Sequence, residues 1–324
     1  MQRRKLGRLF DVSRYTLGGG GIGQVWGATS REEAIKTVQD AHEAGITLFD
    51  MAPLYGNGEA EKVMGLAFPG GYPDTLRLTT KCMLGGVSGT DVEGILTASL
   101  RQSLKLLKRD YIDVFILHGY VVPDNWDTPL SPKFVSKVAV NMSTFNRFVI
   151  PAFEKLKKSG LIKAWGVTAA STQVTNLKII NSENPPDVIQ CMANVLDSAG
   201  SMEISGEKAN PRALIRQATE KSVGVMGIRA AAAGSLTDAI DRPVAADSRE
   251  QYDYDRAARF RSIAADLGVS PAQLAHRYAL SMPGVETVVL GVKNREELAD
   301  CLLAEAAPAL DAAVVQRIDT AVRN

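Results

Sequence analysis

The sequence predicts an α/β fold, a (β/α)8 TIM barrel forming one domain over residues 1–324. Three observations carry this expectation. Short apolar segments rich in β-branched or aromatic residues alternate with amphipathic helical stretches, the pattern of βαβ units and a parallel sheet. Eight such segments recur, the number that closes a barrel. The chain has 324 residues, 45% of them hydrophobic, and no linker breaks it, so one large core can form without staples.

The eight segments run in order. Tyr15-Thr16-Leu17 leads into a glycine cluster, and Ile46 to Asp50 is the second. Leu76 to Lys81, Ile112 to His118 and Ile162 to Val167 follow. Val188 to Met192, Val223 to Ile228 and Thr287 to Leu290 complete the set. The helices between them carry their own signals. Ser30-Arg31-Glu32-Glu33 reads as a capping box, with serine on a backbone N–H and glutamate reaching back. Its helix should end at Ala44-Gly45, with glycine past the last turn. Pro151 to Ser159 starts on proline and ends in lysines before Gly160. Ser270-Pro271 and Asn294 open two more helices. Two connections are too long for turns: Gly119 to Phe148 after strand four, and Ala233 to Ser248 after strand seven. Loops of that length in a compact domain usually act as lids or binding loops.

Composition removes several function classes. With 37 basic and 36 acidic residues the net charge is +1, which leaves no footprint for nucleic acid or an anionic membrane. Cys82, Cys191 and Cys301 lie far apart, so neither a disulfide framework nor a metal site is expected. The basic start has no apolar run behind it, and no stretch has the roughly 20 apolar residues of a membrane span. The expectation is a soluble cytoplasmic protein with no membrane partner. Its oligomeric state is not legible.

In such barrels the chemistry sits at the C-terminal ends of the strands. The polar residues there are Asp50, Tyr55 five residues on, Lys81 and His118. Taken singly, each has an ordinary explanation. Together they suit carbonyl reduction, which needs a proton donor for the developing oxyanion. Tyr55 is the expected donor; a nearby Lys81 ammonium would lower its pKa from about 10. Asp50 would pair with Lys81. His118 would orient the carbonyl and help relay the proton.

Phe49-Asp50-Met51-Ala52-Pro53-Leu54-Tyr55-Gly56, Thr80-Lys81 and Leu117-His118 together resemble the aldo-keto reductase superfamily. The resemblance spans nearly the whole chain, since the early glycines and Gly291-Val292-Lys293-Asn294 also match in place. It implies that Asp50, Tyr55, Lys81 and His118 are a catalytic tetrad, with Tyr55 the acid/base. It also implies an extended NADP(H) over the barrel mouth, with NAD(H) possible. Gln190 then holds the nicotinamide amide, with Thr168 beside it. The segment Gly291 to Asp300 grips the adenosine end through Lys293, Arg295 and Asp300. Five positions depart from the family's usual residues. Thr168-Ala169 replaces serine-asparagine, Ala193 an aromatic, Glu297 an arginine and Cys301 an asparagine. They weaken the case for NADP(H) and leave the tetrad untouched.

Other residues stay open between two roles. Gly18 to Gly23 satisfies GxGxxG, but Gln24 to Gly27 reads as further loop where a dinucleotide fingerprint needs a helix. Gly21 and its neighbours then turn the backbone beside the cofactor. Trp26 could line the substrate pocket or pack on its loop, and Tyr120 and Trp126 are further lining candidates. Arg229 could meet a cofactor phosphate or an acidic substrate, or form a structural ion pair. Cys82 should point into packing. The expected reaction is hydride transfer between a nicotinamide and a small aldehyde, ketone or sugar. Two rivals remain: an NAD-linked aldose or alcohol dehydrogenase, and a cofactor-sensing subunit with slow turnover.

Overall fold

Strand parity explains the architecture. The computed structural model describes residues 1–323 except Ser88, Pro129, Ser205, Glu207 and Lys208. The last residue of the expected domain, Asn324, and Pro129 of the strand-four loop lie outside the described residues. Eight parallel strands close into a barrel: β1 (Tyr15–Gly18), β2 (Leu48–Asp50), β3 (Arg77–Cys82), β4 (Ile112–Leu117), β5 (Ile162–Thr168), β6 (Val188–Met192), β7 (Gly224–Ile228) and β8 (Thr287–Leu290). Each of the eight coincides with a segment expected from sequence. Closure occurs where β8 pairs with β1, Val288 opposite Tyr15.

Because side chains alternate across a strand, one parity faces the barrel interior. Leu48, Val114, Ile116, Ala164, Val188 and Met226 fill it. Leu6 and Val12 join them from below. They belong to a short antiparallel hairpin, Arg3–Lys5 with Asp11–Ser13, and its link. The opposite parity, including Phe49, Phe115, Trp165 and Ile189, belongs to the main core outside the barrel. Carrying the interior parity to the strand ends brings Asp50, Thr79, Lys81, His118, Thr168 and Gln190 to one mouth. Thr79 is in register with Asp50, Lys81 with Ile116, and Gln190 with Thr168.

The outer helices are α1 (Arg31–Glu43), α2 (Glu59–Ala67), α3 (Val92–Leu107), α4 (Ile150–Lys158), α5 (Gln173–Ile180), α6 (Pro211–Glu220), α7 (Pro271–Ser281) and α8 (Arg295–Ala306). Caps fix several ends, each worth about 1 kcal/mol. Ser30 accepts from Glu33 N on α1, Ser270 from Gln273 N on α7, and Asn294 from Glu297 N on α8. Gly45 takes φ +94° past α1, where a side chain would be strained. The capping box is only half formed. The Glu33 carboxylate turns away from Ser30 and binds Arg295, a stronger charge-assisted partner than a backbone N–H.

The long loop after β4 is not featureless. Tyr120–Val122 pairs with Ala139–Asn141, and Pro132–Val138 is helical between them. The loop after β7 passes into two further helices, Arg249–Arg256 and Ala258–Asp266. The glycine cluster also differs from expectation: Gly19–Ile22 makes one helical turn. That turn is too short for a dinucleotide fingerprint helix.

Candidate active site

Lys81 organises the mouth. Its ammonium is fully buried and has three protons for three acceptors. It donates to Asp50 Oδ2 at 2.8 Å, Met51 O at 2.9 Å and Tyr55 Oη at 3.1 Å. Asp50 is fixed in turn by Thr79 Oγ1, which donates to Oδ1. An unpaired charge at such a site would cost several kcal/mol, so pairing is required. Burial opposes the Lys81 charge, but Asp50 and Tyr55 outweigh it and hold the pKa above the ordinary lysine value.

Tyr55 behaves differently from expectation. Lys81 does favour its phenolate, as expected, but burial is the larger influence and holds the phenol above its usual pKa. The same burial that strengthens the Lys81 contact penalises the phenolate. Tyr55 is therefore protonated at neutral pH. Because Lys81 donates to its oxygen, the phenol proton is left for another acceptor.

The His118 ring meets the Tyr55 ring edge-on, with centroids 5.6 Å apart. Burial and then the Lys81 charge push its pKa down to about 3. It is a neutral imidazole, able to make a hydrogen bond but not to act as an imidazolium acid. Nδ1 is buried with no protein partner.

Two more orphaned groups sit on the neighbouring strands. Thr168 Oγ1 and Gln190 Nε2 are both buried without a partner. Buried polar atoms are rarely left unpaired, and a ligand amide offers what these two lack: a carbonyl and an N–H. Gln190 lies mid-strand rather than at its end. Gly21 presses against the segment after β8; a Cβ there would come within 2.0 Å of Val292 O. The glycine turn and residues 291–292 thus form one backbone-lined edge of the mouth.

The basic residues of that edge are already engaged. Lys293 Nζ lies 2.6 Å from Asp241 and 2.8 Å from Glu297. Arg295 forms a two-pronged pair with Glu33. Gly291 and Asp300 are exposed. Arg229 is buried, has φ +59°, and pairs with Glu250 at 3.2 Å. The ion-pair alternative for Arg229 is therefore realised, although its Nε is left without a partner.

The substrate-lining candidates separate. Tyr120 shares a cluster with Ala170, Met192, Ala199 and Ile228, at the ends of β5 to β7, and its hydroxyl donates to Met202 O. Trp26 packs over Gly20 and Gly291, with the Arg242 guanidinium 5.4 Å above its ring. Trp126 lies apart, lining a cavity of about 450 Å3 with Val122, Leu130 and Val135. None of the four tetrad residues lines that cavity. Cys82 is buried with its pKa raised by burial, an inert packing thiol as expected. Sequence reasoning missed Thr79, although it stands two residues before Lys81 and so on the same face. It also missed Asp241, 52 residues from Lys293, where no local pattern signals the contact.

This barrel and site define a class. The chain belongs to the aldo/keto reductase family, whose model matches residues 15–323. It is an oxidoreductase of that type, a class that uses a nicotinamide cofactor and acts on carbonyl substrates. It is 26% identical over 316 residues to an uncharacterized oxidoreductase of Bacillus subtilis, covering 92% of this chain and 89% of that protein. It is 28% identical over 210 residues to the NADH-specific methylglyoxal reductase of Escherichia coli, covering 60% and 59%. An aldo-keto reductase of Bacillus halodurans in its holo form superposes with a TM-score of 0.70 at 23% identity, covering 100% and 97%, and shares the fold. No helix among the described residues is long and apolar enough to cross a membrane.

Proposed function

We propose that the chain, as one catalytic domain, reduces the carbonyl of a small aldehyde, ketone or sugar, with Tyr55 as the general acid. The observation that carries this is the Lys81 ammonium, its three protons spent on Asp50, Met51 O and Tyr55. The bound nicotinamide supplies the hydride from C4. Tyr55 delivers its proton to the carbonyl oxygen as charge develops there. Lys81, fixed by Asp50, stabilises the phenolate left behind. The Lys81 ammonium is itself fully buried, where such stabilisation is stronger than in water. His118, neutral, hydrogen-bonds the carbonyl oxygen and orients it; its low pKa argues against the proton-relay role expected from sequence. Thr168 and Gln190, whose buried polar atoms lack partners among the described residues, would hold the nicotinamide carboxamide. Tyr120 borders the substrate.

For cofactor choice, the family resemblance favours NADP(H), but the local charges favour NAD(H). Asp241 and Glu297 already neutralise Lys293, and Glu33 neutralises Arg295. A 2′-phosphate arriving there meets three carboxylates, whereas a ribose diol can donate to them. The similarity to an NADH-specific reductase points the same way and keeps the reductive direction. Titrating the protein with NADH and NADPH by tryptophan quenching tests this. Micromolar NADH binding with at least about tenfold weaker NADPH, about 1.4 kcal/mol, is expected. Preference for NADPH overturns the NAD(H) assignment, and binding of neither overturns the enzyme reading.

A further inference from the structure

Behind Lys81, on the outer face of β3, lies a carboxyl group that the reaction does not use. Glu61 is in the first turn of α2 and is 0% exposed. A buried carboxylate normally needs a cation. Lys81 is near enough to influence it, but all three ammonium protons are spent on the other side of the strand. Its hydrogen-bonding neighbours are neutral groups: Thr80 Oγ1 donates to Oε1 at 2.6 Å. Among the described residues Oε2 has no well-formed hydrogen bond, and the group beside it is the buried, neutral Ser103 hydroxyl of α3. A carboxylic acid resolves this arrangement. Its carbonyl oxygen accepts from Thr80 and its O–H donates to Ser103, so no buried charge remains. Burial likewise favours the protonated form over the opposing hydrogen bonds and the Lys81 charge.

The place of this group matters. Thr80 precedes Lys81, and the two point to opposite faces of β3. The first turn of α2 is continuous with the Tyr55 loop, since Ala60 N donates to Tyr55 O and Glu59 N to Gly56 O. A sideways slip of α2 on β3 therefore moves the phenol against the ammonium.

We propose that Glu61 is a positioning residue, a neutral carboxylic acid that ties α2 to β3 and α3 and so sets the Tyr55–Lys81 contact. Its kinetic test rests on the carbonyl-reductase reading; its spectroscopic test does not. Infrared difference spectra at pH 7, wild type minus Glu61→Gln, should contain the carbonyl band of a protonated carboxylic acid. Its absence, with a carboxylate band in its place, overturns the proposal whatever the reaction is. In kinetics, the Gln amide can replace both hydrogen bonds, so Glu61→Gln should keep kcat within about threefold. Glu61→Leu should lose about tenfold or more in kcat, with cofactor Kd within about twofold and the Tyr55-linked limb of the pH profile displaced. A Gln variant as slow as the Leu variant overturns the proposal. So does a folded Leu variant with wild-type kcat and pH profile. If the Leu variant fails to fold, Thr80→Val, which removes one hydrogen bond and no charge, takes its place with the same expectations.

Discussion

At Tyr55 burial opposes Lys81, and burial wins, so the phenol stays protonated through neutral pH. That is the form a reductase needs as its acid. His118 is held the same way: burial and then the Lys81 charge depress its pKa to about 3, so it is neutral at neutral pH. A prediction follows at this scale. The kcat for reduction should show no break between about pH 5 and 9, because neither group titrates there. A break near pH 6.5 that disappears in His118→Asn would mean the imidazole ionises, against this description. The four residues proposed as the tetrad stand out in sequence because each ends or follows an apolar run at a strand end. The sign of the Tyr55 shift could not, because it depends on how completely the mouth excludes water.

At the scale of elements, the strands were legible because their apolar runs differ in length and residue type from the helical stretches between them. Parity then carries Thr79 and Lys81 inward and Thr80 and Cys82 outward. Contacts between loops were not legible. Glu33 has the right place for a capping box, yet binds Arg295, 262 residues on. Lys293 and Arg295 look in sequence like a phosphate grip, yet Asp241 and Glu33, distant in the chain, join neighbouring Glu297 in occupying them. These pairs are partly exposed, so each adds little stability; their weight lies in the local potential. Glu297→Gln together with Asp241→Asn should therefore tighten NADPH at least about tenfold while moving NADH less than about threefold. Calorimetric titration of the double variant checks this; unchanged NADPH affinity would remove these carboxylates from the account of cofactor choice.

For the whole molecule, the barrel is plugged below by Leu6 and open above, so polar chemistry gathers at one end. Buried histidines outside that end bear on stability. His276, in α7, sits 3.6 Å from Cys301 Sγ and edge-on to Tyr15. Burial lowers its pKa from 6.5 to about 4. Its folded pKa is below the unfolded value, so its stabilising contribution is full above pH 6.5. It is lost as the pH falls through 4, by about 3 kcal/mol. Urea unfolding at pH 7 and pH 4 should show this loss reduced in His276→Gln; an identical pH dependence in both proteins would exclude His276 as a source. His276 falls in the helix that Ser270-Pro271 opens, and its burial arises from packing against Tyr15 of β1 and Cys301 of α8.

The most direct test of the central claim is to compare Tyr55→Phe with wild type in consumption of the reduced cofactor over a panel of small aldehydes, ketones and sugars. Cofactor Kd is measured on the same samples. The account predicts steady turnover by wild type and at least about a hundredfold lower kcat in the variant, with Kd changed less than about twofold. Turnover at the wild-type rate by Tyr55→Phe would contradict the assignment of Tyr55 as the acid.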